Sequence, residues 1–521
     1  MIEEVHMASS SSLNNTPPTI ASVTRNTALN VMSSFLGLGS SIITSIVIAR
    51  VLGPNHLGQF STINYISGLV ITVFSLGIGS TVTRFIAEYQ GRQEYDRTAG
   101  LVRLVVRSAF ALALISMVAV FVSISWISHK QSLPAVVILI ITVATLPTYI
   151  SSVLRSVVGG FQDFSYLLRL NVITVTSYII STVFVAWRFP SVAGFLLAAA
   201  IPTTIWSVAI FSRLRHYLPS KVQTIHNHFP DLFSYLWPVA VVTVLDTIVW
   251  QYSEVVVLGI FRPTSEVAFY ATAFSLASIL LTTTASSFTG VFMPTLAHLF
   301  GSNEHNKIEF AFRTSLRFMI AGLLPVSALI IALAHPAISV FYGPAFLPAA
   351  HLLPPLVIAA CFANISAISG TILYSTKQQH TILRLMIFVT IINLTSDFLL
   401  IPRFGMTGAV SANVIAQMVG AGGTLWFSFR RYQISFPIRQ VFLPLFAAVI
   451  SGFFAWWTTT FLSAWTGIIL AGVVGVITYM LLLKLLRIFE ENDRVILIPP
   501  AERLPVAVRQ FYIQLIRFVL P

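Results

Sequence analysis

The chain has 521 residues, of which 56% are hydrophobic and 9% charged, with a formal net charge of +13. A soluble domain carries about 25% charged residues, and no polar stretch here is long enough to enclose a core, so a string of soluble domains is excluded. The basic residues flank apolar segments throughout instead of gathering on one domain, which excludes a nucleic-acid binder and points to membrane topology.

Residues 1–24, rich in Ser, Asn and Pro, are predicted to be a disordered cytoplasmic tail. No basic stretch precedes a short apolar core there, so the tail does not read as a signal peptide. Fourteen apolar segments follow, at 26–49, 58–83, 104–127, 134–157, 167–187, 191–212, 232–259, 267–298, 312–335, 347–374, 382–401, 406–428, 438–462 and 465–486. A helix needs about 20 apolar residues to cross the roughly 30 Å hydrocarbon core. Backbone polar groups in hydrocarbon must be satisfied within the chain. The predicted fold is therefore an all-α polytopic membrane protein of about 14 transmembrane helices. Cys361, the single cysteine, lies inside an apolar segment, so no intrachain disulfide can form and no thiolate metal site is expected.

Loop charge tests the helix count. With fourteen helices, 25 of the 30 lysines and arginines fall on one side of the membrane and five (Arg50, Lys130, Arg188, Arg262 and Arg403) on the other. By the positive-inside rule both termini are expected to be cytoplasmic. The chain also aligns with itself at an offset of about 210–215: Pro54 meets Pro263, Arg103 and Arg107 meet Arg313 and Arg317, and Gly194 meets Gly408. Two pseudo-symmetric six-helix lobes plus two extra helices are expected, as in transporters that rock two bundles about a central site. The predicted units are a lobe at 25–215, a cytoplasmic linker at 216–231, a second lobe at 232–430, helices 13–14 at 431–487, and a tail at 488–521. In that tail Leu504, Val508, Phe511, Leu515 and Val519 form an amphipathic stripe expected to lie on the cytoplasmic leaflet.

Several short motifs stand at the ends of these segments. The first is Ala49-Arg50-Val51-Leu52-Gly53-Pro54 followed by Gly58-Gln59-Phe60, and the second is Leu76-Gly77-Ile78-Gly79 followed by Arg84-Phe85-Ile86-Ala87-Glu88. The second half has Glu254 through Gly259, Phe341-Tyr342-Gly343-Pro344, and Asn393 followed by Leu400 through Ala409. Together they resemble the polysaccharide-flippase branch of the multidrug/oligosaccharidyl-lipid/polysaccharide exporter superfamily, and the resemblance covers residues 25 to about 490. It implies movement of a polyprenyl-diphosphate-linked oligosaccharide from the cytoplasmic to the outer leaflet by alternating access without ATP. Membrane lipids and a polysaccharide polymerase are candidate partners, and helices 13–14 would shape a groove for the lipid tail. Two departures stand out: Glu254 replaces the family's usual Asp, and the dense cationic cavity of a close peptidoglycan-precursor flippase is missing. That kind of flippase and a cation-coupled exporter of drugs or small amphiphiles are the alternatives.

The residues themselves support transport over catalysis. No phosphate-cradling glycine loop is present, and no nucleophilic or metal-ligand set stands out, so neither an enzyme nor a cofactor is expected. His226 and His228 read as solvated loop histidines, and the outer loops hold one clear acid, Glu266. Ionisable groups in the bilayer are costly and mark sites. Asp246, Glu254 and Asp397, with Asn393 one turn before Asp397, are candidates to bind a coupling proton or cation, or else to fix helix packing. Asp246, Trp250 and Ser253 should share one helical face. A diphosphate requires cationic contacts; Arg84, Arg25 and Arg155 at the inner mouth, with Asn30, are the candidates, and topology setting is the competing role of the arginines. Prolines 147, 202, 238, 294, 325, 354 and 355 lie within helices, as hinges or as static bends.

Overall fold

The computed structural model describes residues 20–217, 229–278, 305–375, 378–432, 438–461 and 464–489, with a few isolated residues beyond them. The amphipathic tail stripe, His226, His228 and Pro294 lie outside the described residues, and so do the side chains of Arg25 and Asn30. The described residues contain helices and no strand. The first lobe comprises α1 (Ile20–Ser75), α2 (Ile78–Gly91), α3 (Tyr95–Gln131), α4 (Ala135–Gly160), α5 (Phe164–Arg188) and α6 (Val192–Tyr217). The second begins with α7 (Phe229–Thr247), a π-turn (Ile248–Tyr252) and α8 (Ser253–Phe261). It continues with α9 (264–278), α10 (His305–Ala332), α11 (Ala334–Phe341), α12 (Leu347–Ser375), α13 (Gln379–Phe404) and α14 (Met406–Arg431). The extra pair is α15 (Ile438–Phe461) and α16 (Ala464–Leu485).

Eleven of these helices are long and apolar enough to span a membrane. The predicted fourteen differ from that number for identifiable reasons. Gly53, at φ +67°, and Pro54 bend α1 into two spans that run on as one helix. The span at 406–428 is helical throughout but rich in glycine and polar residues, and 267–298 is described only in part. Predicted helix 2 is broken at Leu76-Gly77, both with positive φ, so that its last turns form α2.

Small residues let the helices approach closely. A side chain at Gly160 would strike Ile86, and one at Gly79 would strike Ser156, where α2 packs on α4. The repeat has a packing counterpart: Gly194 sits against the Phe189 carbonyl, and Gly408 against the Leu400 carbonyl, each where a helix folds back on its predecessor. In the extra pair, Ser451 donates to the Gly475 carbonyl at 2.7 Å, and α15 packs along α10.

Most instructive is where the lobes join. One end of the bundle carries Arg50, Lys130, Arg188, Arg262 and Arg403, and the opposite end carries the other described basic residues; they are called here the arginine-poor and arginine-rich ends. At the arginine-poor end, Ile48, Leu57, Ile124 and Ile127 of the first lobe share one apolar cluster with Val255, Leu258 and Val267 of the second. Toward the arginine-rich end a separate cluster around Ile86, Tyr149, Val157 and Leu214 of the first lobe takes in Leu232 of α7 from the second.

At the arginine-poor end the loops of the second lobe are tied down as well. Glu266 accepts from the Met406 backbone N–H at 2.8 Å and pairs with Arg262 at 3.3 Å, capping α14. Gly405 before it has φ +59° and ψ −134°, a region open to glycine alone, and a side chain there would strike Glu266 and Arg262. Gly405→Ala is therefore expected to destabilise the protein by about 2–4 kcal/mol, from backbone strain plus the lost cap, measured as a lower Tm in detergent; an unchanged Tm would refute it.

Candidate functional site

Two features mark the interior: a polar cluster within the second lobe and a cavity between the lobes. The cluster is built on α8, α13 and α14. Glu254 Oε1 accepts from Asn393 Nδ2 at 3.1 Å and from Asn413 Nδ2 at 3.0 Å, while Ser253 Oγ donates to Asn393 Oδ1 at 2.8 Å. Asp397 is fully buried within electrostatic reach of Glu254 and beside the Ser253 hydroxyl. Tyr270 brings a buried hydroxyl alongside. Two carboxylates, two amides and two hydroxyls offer the oxygen donors that hard cations take. Rotating either amide by a half-turn would present its oxygen in place of its N–H.

The cavity, of about 970 Å³, lies on the arginine-rich side of the cluster. Its walls include Ser34 and Ser41 of α1, Asp246 and Gln251 of helix 7, Asn364 of α12, and Gln417 of α14. Gln417 joins the two features, since its Nε2 donates to Asn413 Oδ1 at 2.5 Å while the side chain faces the cavity. A chain of contacts thus runs from the cavity wall through Gln417 and Asn413 to Glu254.

The π-turn at Ile248–Tyr252 sets this division of labour. An ideal helix would keep Asp246, Trp250 and Ser253 on one face. The wider turn redirects the chain: Asp246, Trp250 and Gln251 line the cavity, and Ser253 turns into the buried cluster. Gly420 leaves room for the Trp250 ring, which a side chain there would meet at 3.1 Å. On the arginine-rich side of the turn, α7 packs against the first lobe, with Tyr235 edge-on to Phe85 and Ala240 against Gly77.

The site candidates therefore separate. Glu254, Asn393 and Asp397 come together, and Asp246 stands apart in the cavity wall. Arg84 and Arg155 line neither feature: the Arg84 guanidinium lies 4.2 Å over the Tyr235 ring, and that of Arg155 4.2 Å over Trp206. Sequence reasoning missed Asn413 and Gln417. Their signal, two amides spaced i, i+4 on an otherwise small and apolar helix, was available. It also missed that Arg317 is buried, at 4% exposure, beside Phe318.

Contacts between the lobes close the arginine-poor end. Arg50 donates to the carbonyls of Val340 and Phe341, Lys130 to Ile260 at 3.2 Å, and Gln131 to Gly259 at 3.2 Å. Gly58 lies so near the Thr264 carbonyl that no side chain fits between them.

The profile of the family described as "Polysaccharide biosynthesis protein" matches residues 23–300, more than half of the chain. The chain belongs to that family. The MatE profile matches residues 238–399, and together these matches place this polysaccharide biosynthesis family member in the multidrug/oligosaccharidyl-lipid/polysaccharide exporter superfamily as a flippase-type transporter. Among curated relatives, "Probable low-salt glycan biosynthesis flippase Agl15" of Haloferax volcanii is 21% identical over 398 residues, covering 74% of this chain and 79% of that protein. "Uncharacterized membrane protein MJ1068" of Methanocaldococcus jannaschii is 19% identical, covering 81% and 87%. Among solved structures, "Lipid II flippase MurJ, inward closed conformation" shares the fold with a TM-score of 0.70 at 17% identity, covering 88% of this chain and 98% of that one. An inward-facing multidrug resistance MATE family transporter has a TM-score of 0.61 at 16% identity, covering 76% and 94%.

Proposed function

We propose that this polysaccharide biosynthesis family member carries a polyprenyl-diphosphate-linked oligosaccharide from the cytoplasmic to the outer leaflet of the cell membrane by alternating access. The observation that carries the reading is the asymmetry of the lobe contact: at the arginine-poor end the lobes share hydrogen bonds and an apolar cluster, whereas toward the arginine-rich end a large cavity opens between them and α7 alone is seen to keep contact with the first lobe among the described residues. With the arginine-rich end cytoplasmic by the positive-inside rule, this is the state that admits substrate from inside. The lobes at 25–215 and 232–430 would move against each other, carrying residues 431–487 with the second. The cluster of Glu254, Asn393, Asp397 and Asn413 is the proposed coupling-cation site, and Gln417 links its occupancy to the cavity.

The lipid tail has a proposed berth. An apolar cavity of about 700 Å³ is walled by Leu316 and Ile320 of α10, Cys361 and Phe362 of α12, and Leu445 and Phe453 of α15. Of the extra pair only α15 lines it, with α16 packed behind. Arg84, Arg155, Arg25 and Asn30 are proposed as head-group contacts at the mouth, and a polymerase remains a candidate partner.

A second reading, export of a cationic amphiphile, draws on Asp246, the one carboxylate among the described cavity residues. Leaflet sidedness separates the readings. In proteoliposomes, a lipid-diphosphate-linked oligosaccharide should become accessible to an impermeant external probe in a protein-dependent manner. Arg84→Ala should slow this by about tenfold or more if one charge-assisted contact is lost. Cation-driven dye efflux without flipping would replace the flippase reading with the export one.

A further inference from the structure

The cavity contains a marked chemical bias. Its described walls set hydroxyls, amides and aromatic rings, such as Ser41, Asn64, Gln251, Asn364 and Trp250, among aliphatic side chains such as Leu385 and Val389, with Asp246 as the single carboxylate and no lysine, arginine or histidine. The sequence extends this beyond the described side chains. Residues 26–49 and 264–278, which supply two of the lining helices, contain no lysine or arginine. The remaining lining helices carry one within their membrane lengths, Arg384, and it is exposed on a different face from Ile382, Leu385 and Met386. Among the described residues no basic group lines this space.

Resting on the flippase reading, we infer that the cavity selects the charge of the glycan: it takes an uncharged or amine-bearing oligosaccharide, and Asp246 is the residue that discriminates against acidic sugars. Sugar hydroxyls are matched by neutral donors and acceptors, and a pyranose ring has an aromatic wall in Trp250, which is seated against Gly420. The volume, about 970 Å³, lies at the large end of small-molecule sites. An anionic sugar here would lose hydration without gaining a cation and would face a carboxylate. The diphosphate, by the same logic, stays at the mouth and does not enter the cavity.

The experiment compares two lipid-diphosphate-linked oligosaccharides of equal length in proteoliposomes, one neutral and one carrying a uronate. The shared lipid and diphosphate cancel, and the readout is the ratio of the two flipping rates in one protein. For the wild type the neutral substrate should flip at least about tenfold faster, the size of one unscreened like-charge encounter in a polar cavity. Asp246→Asn should narrow that ratio to within about threefold. Ser278→Lys, which places a base in the wall, should favour the uronate, and it tests the idea even if the Asp246 variant folds poorly. A soluble neutral oligosaccharide should quench the fluorescence lost in Trp250→Phe, and its uronate counterpart should bind at least about tenfold more weakly. Equal wild-type rates, or a ratio that neither variant moves, would overturn the inference and leave the flippase reading standing. No flipping of either substrate would overturn the flippase reading, and the inference with it.

Discussion

Glu254→Gln is expected to leave the protein folded and to abolish cation-dependent transport, by about 100-fold or more. Glutamine keeps an oxygen where Glu254 Oε1 accepts from Asn393 and Asn413, so both amide donors stay satisfied. What disappears is one of the cluster's two carboxylates, and Asp397 alone is too weak an attraction for a cation to prefer this place. Glu254→Ala differs: two buried donors lose their acceptor, at a cost of about 1–3 kcal/mol each. The measurement is Tm in detergent with and without added sodium, potassium or lithium, beside flipping in proteoliposomes. The wild type should be stabilised by one of these ions, Glu254→Gln by none, and Glu254→Ala should melt lower under every condition. If the glutamine variant kept both the ion-dependent stabilisation and the transport, the cluster would be a packing device and the coupling site would lie elsewhere.

Gly58→Val should prevent the arginine-poor end from closing. The Gly58 backbone rests against the backbone of Thr264, which has no flexible side chain to move aside. Overpacking of this kind costs about 1–3 kcal/mol, and 2–3 kcal/mol on the closed state would shift the equilibrium roughly 30- to 150-fold toward the opposite one. The single native cysteine, Cys361, is buried, which gives a clean background for labelling. With Cys361→Ala, Arg50→Cys and Val340→Cys, the introduced pair should cross-link across the gate, and Gly58→Val should suppress the cross-link and slow flipping. Undiminished cross-linking would mean that this contact does not hold the gate.

Much of this architecture was legible in the sequence, because the bilayer makes both helix length and charge costly to vary. The spans stood out for that reason, and Glu254, Asn393 and Asp397 stood out as polar groups in hydrocarbon. What could not be read depended on tertiary packing. The π-turn adds no unusual residue at Ile248–Tyr252, yet it splits the face expected for Asp246, Trp250 and Ser253. Arg84 was placed at the mouth by its motif, but only the fold brings Tyr235, some 150 positions away, beneath its guanidinium. Leu76-Gly77 was noticed as part of a motif and not as a helix break, since both readings use the same glycine.

Helix 7 lies alongside one lobe below the π-turn and is bonded into the other above it. On the proposed rocking of the lobes, this stretch would act as a torsion bar, twisted over five residues, Ile248–Tyr252. Asp246 and Glu254 stand on opposite sides of it, one in the cavity wall and one in the buried cluster. A load applied at either end would be felt at the other as a change in twist, without any long-range displacement of side chains. The stiffness of one short segment would then set how tightly uptake of an ion is geared to passage of a glycan.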